Sequence, residues 1–414
     1  MLFRSEEFAI IADMFIGLYM ELSFAEFQRI YSETQNNKDI GKIEPLWNFK
    51  PGREINDMLF LPQEKGFSWL IASSDGNIYK VLDNGEASVL SDILSFLNND
   101  EPLKLGLYDM DGNGIEDLLI GTKKGRIYAF EGNELKWSYE APQHPPVNKP
   151  SYTDRDKAIH LLYIDDLDGD GKGEILIGTG DGYARGLDYQ GNEKWILDTY
   201  AGIFASATSA DLLNKGSKQF IGGAGLHPRS FHLNRVYAIN KEGGALTGWE
   251  NGSLMSIDSW NSGKRAMVAG GNKDGTLWVK SSYSRDWQVQ LSGELTKVSI
   301  VEDELGLPII IIGSKSGYIV AFTEGGKQLW STYLNGEVET FAPVLDGNGK
   351  LLYLVAGIYN GSIYGLTPQG ELMWEAKVDG IPSNIDARFS LAENKFFIVV
   401  TDSSGTLHGF GINL

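Results

Sequence analysis

Hydrophobic and polar positions follow a pattern that recurs along most of the chain. A short apolar run is followed by a turn that contains glycine and then by a second apolar run, as in "SWLIASSDGNIYKV" and "EILIGTGDGYARGL". Paired β-like runs joined by a glycine turn predict antiparallel hairpins. Eight copies of this pattern begin at Ser68, Asp117, Glu174, Gln219, Arg265, Pro308, Leu351 and Phe396.

The spacing of the copies indicates the architecture. The turn glycines Gly275, Gly317, Gly361 and Gly405 lie about 42 to 44 residues apart, with room for four strands in each repeat. This length and strand number are typical of a β-propeller blade. We therefore predict an all-β fold, an eight-bladed β-propeller over residues 41–414.

The two ends of the repeat region complement each other. The last copy ends at "GFGINL" without an outer strand, whereas "PLWNFK" (Pro45 to Lys50) has outer-strand character and no blade before it. If this N-terminal strand completes the last blade, the ring closes and no sheet edge stays open.

A tryptophan follows most copies at the start of the predicted outer strand. Such a large ring is predicted to pack between adjacent blades rather than to bind a ligand. These residues are Trp137, Trp195, Trp249, Trp287, Trp330 and Trp374.

Residues 1–40 have a different pattern and are predicted to form a short helical extension. Apolar residues from Phe8 to Leu22 recur at helical spacing, and "SFAE" (Ser23 to Glu26) has the form of a capping box. We expect these helices to dock on the propeller, on a partner or at a membrane, and the sequence leaves these alternatives open.

Composition excludes several classes of function. The chain has 36 basic and 55 acidic residues, a net charge of −19, which argues against nucleic acid as a partner. The absence of cysteine excludes disulfides, zinc–thiolate sites and a cysteine nucleophile. The sequence has no run of eighteen apolar residues, so we predict no transmembrane helix. Acidic Glu6 and Glu7 do not suit a signal peptide, which favours the cytoplasm and leaves an extracellular or periplasmic location open.

Two acidic turns, "DMDGNGIED" and "DLDGDGKGE", carry the candidate metal chemistry. An EF-hand loop needs acidic ligands at positions 1, 3 and 5 and a glutamate at position 12, but position 12 counted from Asp166 is Ile177. A closing carboxylate stands at position 9 instead, and calcium accepts such a loose set of oxygen ligands. We predict two structural calcium sites, formed by Asp109, Asp111, Asn113 and Asp117 and by Asp166, Asp168, Asp170 and Glu174.

The corresponding turns at Asp211 and Asp346 lack the other ligands, and we predict no metal there. The alternative for all four turns is an Asp/Gly turn that is held by its own side-chain hydrogen bonds. Nothing in the two complete loops indicates an open coordination position for catalysis, so the predicted ions are structural.

Two known repeat families resemble these segments. "DMDGNGIEDLLIG" and "DLDGDGKGEILIG" resemble FG-GAP, or VCBS, repeats, which use this calcium arrangement. "GRIYAFEGNELKWSYE" and "GYIVAFTEGGKQLWSTYLNG" resemble PQQ-like propeller repeats. The resemblance covers about residues 45–414 and implies the fold more than the function, because enzymes, receptors and scaffolds share these repeats.

Two long loops are predicted to form a partner-binding surface. The link at 141–158 is rich in proline, and an insertion occupies 224–235. Arginine and aromatic residues are enriched at protein-contact hot spots. The candidate contact residues are His227, Arg229, Phe231, His232 and Arg235.

We therefore expect a non-catalytic scaffold or adaptor that binds another protein through these loops and the N-terminal helices. Two alternatives stay open: an extracellular adhesin or lectin, and a lyase or glycosidase that acts on polysaccharides, whose carboxylates need not be close in sequence. A quinoprotein dehydrogenase is disfavoured because no cofactor-binding cluster is visible in the sequence.

Overall fold

The computed structural model describes residues 41–63, 66–142, 156–199, 203–225, 235–250, 252–346, 349–390 and 395–413. Within these residues the strands form eight sheets of four or five strands each. The predicted eight-bladed β-propeller, closed by an N-terminal strand, is confirmed. The predicted helices of the N-terminal extension lie outside the described residues.

The first strand of each blade lies innermost, since the first strands of consecutive blades contact one another. Blades 1 and 2 contain β3 (Ile55–Leu61), β4 (Ser68–Ser73), β5 (Ile78–Leu82), β6 (Ala87–Val89), β7 (Pro102–Tyr108), β8 (Asp117–Thr122), β9 (Arg126–Glu131) and β10 (Glu134–Glu140). Blades 3 and 4 contain β11 (Ile159–Asp165), β12 (Glu174–Thr179), β13 (Tyr183–Leu187), β14 (Glu193–Asp198), β15 (Ile203–Ala210), β16 (Gln219–Gly225), β17 (Arg235–Ile239) and β18 (Ala245–Glu250).

The remaining blades repeat the arrangement. Blades 5 and 6 contain β19 (Leu254–Ser262), β20 (Arg265–Asn272), β21 (Thr276–Ser281), β22 (Trp287–Gln290), β23 (Leu295–Glu302), β24 (Pro308–Ser314), β25 (Tyr318–Thr323) and β26 (Gln328–Tyr333). Blades 7 and 8 contain β27 (Val338–Leu345), β28 (Leu351–Ile358), β29 (Ser362–Leu366), β30 (Leu372–Lys377), β31 (Pro382–Ser390), β32 (Lys395–Asp402) and β33 (Leu407–Asn413).

Two N-terminal strands complete the ring at its seam, the junction of blades 7, 8 and 1. β2 (Trp47–Phe49) is the outer strand of blade 8 and pairs antiparallel with β33. β1 (Gly41–Ile43) adds a fifth strand to blade 7, parallel to β30. The segment 41–49 therefore joins blades 7 and 8; the sequence predicted only its second strand.

The hydrophobic core lies between neighbouring blades. Second strands such as β4 and β8 are buried along their whole length because another blade covers each face. Leu70 and Leu118, from blades 1 and 2, belong to one apolar cluster, and Val355 and Ile398, from blades 7 and 8, belong to another.

Five outer-strand tryptophans connect one blade to the next, in line with the packing that the sequence predicts. The indole N–H of Trp47 donates to the carbonyl of Asp83 in the third turn of blade 1, at 2.7 Å. The same bond at 2.8–3.1 Å joins Trp137 to Tyr189, Trp195 to Lys241, Trp287 to Glu324 and Trp330 to Pro368. Each ring lies against a glycine of that turn, where a Cβ would collide with it. The side chain of Trp249 is outside the described part of the chain.

A helix replaces the tryptophan between blades 1 and 2. Helix α1 (Ser91–Leu97) follows β6 and buries Ile93 and Leu97. Its Phe96 ring packs edge-on against Phe130 with centroids 5.5 Å apart. The sequence did not predict this helix. Within the described residues, no helix has the length and apolar character needed to cross a bilayer.

Candidate functional site

The two acidic loops lie on one face of the ring. Residues 109–117 join β7 to β8, and residues 166–174 join β11 to β12, so each links the first (A) and second (B) strands of a blade. Lys241, in the turn between the third and fourth strands of blade 4, pairs with Asp168. Both kinds of turn therefore share one face, which we call the A–B face.

Loop 166–174 is closed by its own carboxylates. Asp166 Oδ1 accepts the backbone N–H of Gly169 at 2.7 Å, and its Oδ2 accepts that of Gly171 at 2.9 Å. Glu174 Oε2 accepts the N–H of Leu167 at 2.9 Å. These bonds fold the loop back on itself.

The same loop brings three predicted ligands together. Asp166, Asp168 and Glu174 each offer an oxygen that lies within 4.8 Å of the other two, the one such group of three in the described part of the chain. Asp170, the fourth predicted ligand, accepts the N–H of Lys172 at 2.9 Å instead.

Loop 109–117 repeats the backbone bonding. Asp109 accepts the N–H groups of Gly112 and Gly114 at 2.9 and 2.8 Å, and Asp117 accepts that of Met110 at 3.1 Å. These bonds match those of Asp166 and Glu174 in the other loop.

Asn113, the amide among the predicted ligands of loop 109–117, is bonded to other partners. The Asn113 side chain accepts the N–H of Ile115 and donates to Glu131, both at 2.7 Å. Asp109, Asp111 and Asp117 do not form a metal-sized group among the described residues.

The electrostatics of loop 166–174 are set by its crowded carboxylates and by Lys241, whose ammonium is paired with one of them. Burial raises the pKa of Glu174, and the negative charges of Asp168 and Asp170 raise it further. A hydrogen bond from Lys241 lowers the pKa of Asp168. All donor atoms are carboxylate oxygens, which suit calcium better than softer metals. Three of the four predicted ligands therefore lie close enough to share an ion, and one of these three, Asp168, is paired with Lys241.

The acidic turns also connect blades to one another. The Tyr108 hydroxyl accepts the N–H of Asp166 at 3.0 Å, and Gly173 N–H donates to the Met110 carbonyl at 3.0 Å. The Leu167 carbonyl in turn accepts the N–H of Lys218 at 2.7 Å. The first turns of blades 2, 3 and 4 thus form one hydrogen-bonded chain.

The incomplete turns keep the backbone bonds of their first aspartate. Asp211 accepts the N–H groups of Lys215 and Gly216 at 2.8 and 2.9 Å. Asp346 accepts that of Lys350 at 2.9 Å. An aspartate at the first position therefore stabilises this turn in blades with no further acidic ligands.

The predicted partner loops fall mostly outside the described residues. His227, Arg229, Phe231 and His232 lie there, as does most of the 141–158 link. Arg235 is the exposed first residue of β17 and pairs with Glu250 across the sheet. Partner binding by these loops stays a prediction.

Two inner-strand carboxylates that the sequence did not single out also join blades. Asp57 accepts the N–H of Leu105 at 2.9 Å, and Asp258 accepts that of Ile300 at 2.8 Å. Burial raises the pKa of both groups. Each carboxylate therefore satisfies a backbone donor on the inner strand of the next blade, a structural role.

Three exposed leucines lie in consecutive turns of the A–B face. Leu305, Leu307 and Leu345 are 82%, 43% and 38% exposed in blades 6 and 7. The turns are linked, since Lys350 Nζ donates to the Glu304 carbonyl at 2.6 Å. We call these three residues the leucine patch.

Comparison with solved structures finds other propellers. The chain is similar to the C-terminal WD40 domain of Sif2 (TM-score 0.64, 11% identity, covering 91% of this chain and 100% of that one). It is also similar to BBS1N in complex with ARL6DN (0.56, 13%, 90% and 97%) and to BamB from Moraxella catarrhalis (0.53, 17%, 88% and 96%). These likenesses show the fold. No protein-family model matches the chain.

Two curated relatives are enzymes. Lambda-carrageenases from Pseudoalteromonas carrageenovora and from another Pseudoalteromonas are 28% identical over 121 residues, which is 29% of this chain. The match spans 13% of the length of those enzymes.

Proposed function

We propose that this propeller is a non-catalytic scaffold whose protein partner docks on the leucine patch of the A–B face. The carrying observation is the exposure of Leu305, Leu307 and Leu345 in two linked turns. Exposed apolar residues gathered in neighbouring turns are typical of a protein-interaction site.

The turn that presents two of these leucines is well organised. Asp303 Oδ1 accepts the N–H groups of Leu305 and Leu307 at 2.8 and 2.9 Å. The Gly306 N–H donates to the Asp303 carbonyl at 3.0 Å. A fixed turn loses little conformational entropy when a partner binds, which supports its use as a contact.

Glutamate substitutions at the patch test this proposal. The double variant Leu305→Glu, Leu307→Glu is expected to capture a specific partner from source-cell extract at least about tenfold less than the wild type, since hot-spot losses reach 2 kcal/mol or more. Quantitative mass spectrometry of the captured proteins gives the measurement.

The matched control is Leu329→Glu, because Leu329 is a 46% exposed leucine on the outer strand of the same blade. It should leave capture unchanged. Equal loss in both variants, or no loss in the double variant, contradicts docking on the patch.

We also propose that loop 166–174 and its counterpart 109–117 each bind a structural calcium ion. The ligands are Asp166, Asp168, Asp170 and Glu174 in the first loop and Asp109, Asp111, Asn113 and Asp117 in the second. The hydrogen-bonded chain between the turns of blades 2 to 4 supports this role, because an ion that fixes one turn also fixes its neighbours.

Calcium is expected to raise the unfolding temperature, and Asp166→Ala to reduce that rise. An ion that binds only the folded state stabilises it by about 2.7 kcal/mol at a free concentration one hundred times its Kd. Calorimetry of the chelated protein and of protein titrated with calcium measures the difference.

Asp211→Ala is the control, because Asp211, like Asp166, accepts two backbone N–H groups of its own turn, but in a turn without further acidic ligands. Both variants should lose the turn bonds, but only Asp166→Ala should reduce the calcium-dependent rise, because loop 109–117 keeps its own ion. A calcium response of equal size in both variants, or none in the wild type, rejects the site.

A second candidate function is action on, or binding to, a polysaccharide. Its support is the 28% identity over 121 residues to the two lambda-carrageenases. Release of reducing ends from carrageenan, followed with the purified chain, distinguishes an enzyme from the scaffold.

A further inference from the structure

A cleft lies at the seam of the ring on the A–B face. The inner strands β31 and β3 approach each other less closely than other neighbouring inner strands do. They leave a cleft of about 330 Å³, which residues of β7 also line. Ligand pockets range from about 300 to 1,000 Å³, so this one suits a small molecule.

One wall of the cleft carries a pre-organised guanidinium. Arg388 donates to both oxygens of Asp386, from Nε at 3.0 Å and from Nη2 at 2.9 Å. The guanidinium also stacks 4.2 Å from the centroid of the Phe60 ring. Asp386 is fixed in turn by the Trp69 indole N–H at 2.7 Å. Among the described residues, Arg388 Nη1 has no acceptor.

The opposite wall carries a carboxylate that has no partner in the described part of the chain. Glu116, at the end of loop 109–117, is exposed, lines the cleft and makes no hydrogen bond or ion pair with the described residues. Leu107 lies on the same side, whereas Ile385 comes from the side of Arg388. Strand β3 lies between the two walls, so the two charges flank an apolar floor.

The floor of the cleft is formed by β3 and is open to solvent. Every residue of β3 is partly exposed, including Met58, Leu59 and Phe60, which line the cleft. Removing such surface from water favours binding by roughly 25 cal/mol per Å². A ligand that fills the cleft should therefore have an apolar body.

The charged residues of the cleft indicate which charged groups the ligand should carry. The cleft is lined by two carboxylates, of Asp386 and Glu116, and by one guanidinium, of Arg388. A simple anion is therefore repelled by the net negative charge, and a simple cation is repelled by the guanidinium. A molecule with both charges satisfies both walls. We infer that the seam cleft binds a small zwitterion with an apolar side chain, and a free apolar amino acid is the simplest such ligand. This inference does not depend on the leucine patch.

Three probes that share the same alkyl group, but differ in charge, test the inference on the full chain. L-Leucine carries both charges, 4-methylpentanoate only the carboxylate, and 3-methylbutylamine only the ammonium. In calorimetric titration we expect saturable binding of L-leucine and at least about tenfold weaker binding of the other two, since a lost charge contact costs about 1.4 kcal/mol or more. Equal affinity for either analogue, or no saturable binding of L-leucine, overturns the inference.

Variants locate the site. Arg388→Gln and Glu116→Gln should each weaken L-leucine binding about tenfold or more, which is about 1.4 kcal/mol. Glu116 is exposed, so its substitution should preserve the fold. The control is Arg265→Gln, since Arg265 also stacks on an aromatic ring, that of Tyr283 at 4.2 Å, and pairs with Glu324 at 2.9 Å. Unchanged binding in Glu116→Gln, or an equal loss in the control, contradicts the assignment.

Discussion

Removal of residues 1–49 is expected to destabilise the ring far more than removal of residues 1–40. The two truncations differ only in the segment that carries β1 and β2. That segment supplies the outer strand of blade 8 and the fifth strand of blade 7. Without it, β33 becomes an open edge, which a closed propeller otherwise avoids.

Trp47 accounts for a large part of the expected loss. Its N–H bonds to Asp83 in blade 1, and its ring covers Gly409 in blade 8 and Gly85 in blade 1. Removing a large aromatic side chain from such a packed position costs about 3–5 kcal/mol. Phe49 adds an edge-on contact with Tyr79 at 5.2 Å, so two aromatic contacts between blades 8 and 1 disappear together.

A partly buried polar contact, between exposed Asn48 and buried His408, is lost as well. Asn48 Oδ1 is hydrogen-bonded to Nδ1 of His408 at 2.9 Å, and the His408 side chain is 3% exposed. Removing one partner of a buried hydrogen bond costs about 1–3 kcal/mol. The sum is comparable to the whole stability of a typical domain, about 5–15 kcal/mol.

Urea and thermal unfolding of the two truncations measure the difference. Hydrogen exchange should show the loss first in β31 to β33 and in β3 to β5, the strands on either side of the seam. Trp47→Ala in the full chain should reproduce part of the effect. Equal stability of the two truncations contradicts a closing role for β2.

The parts of the fold that repeat could be predicted from the sequence. Glycine turns, buried second strands and outer-strand tryptophans recur in most blades, so each copy confirms the others. β1 and α1 occur once each. β1 is only three residues long and pairs with β30, more than 300 positions away in the sequence. Helix α1 lies where other blades have a tryptophan, so the repeat pattern gives no indication of a helix at this position.

The same reason limits prediction of the sites. Within loop 166–174 the ligand spacing is local, and the sequence identifies the residues that the fold brings together. Lys241, which pairs with Asp168, comes from the next blade. The seam cleft combines Phe60, Glu116 and Arg388 from three blades. Contacts between blades follow from ring closure, which no short pattern encodes.

The second large effect is expected at Asp402, the buried carboxylate of blade 8. Its Oδ1 accepts the N–H groups of Ser404 and Thr406 at 2.9 and 3.1 Å. Its Oδ2 accepts the N–H of Gly380, in the link from blade 7, and is hydrogen-bonded to His408 Nε2, both at 2.9 Å. This one group therefore organises the turn after β32, the blade 7–8 link and the histidine that contacts Asn48.

Asp402→Asn should lower the free energy of unfolding by about 3 kcal/mol or more at neutral pH. The asparagine amide places a donor against backbone N–H groups, and each unsatisfied buried donor costs about 1–3 kcal/mol. The control is Asp188→Asn, since Asp188 accepts the N–H groups of Gln190 and Asn192 in an exposed turn. Its expected cost is below about 1 kcal/mol, as for other exposed polar contacts.

The difference between wild type and Asp402→Asn should depend on pH. Burial alone would raise the pKa of Asp402, but hydrogen bonds from Ser404, His408 and backbone N–H groups lower it below its ordinary value. A carboxylate whose pKa is lower in the folded state stabilises above the unfolded pKa of about 3.9 and loses that contribution as pH falls through the folded value. The stability gap should therefore be constant from about pH 7 to pH 5 and close below about pH 4. A gap that stays unchanged in acid would mean that Asp402 acts through its shape rather than its charge.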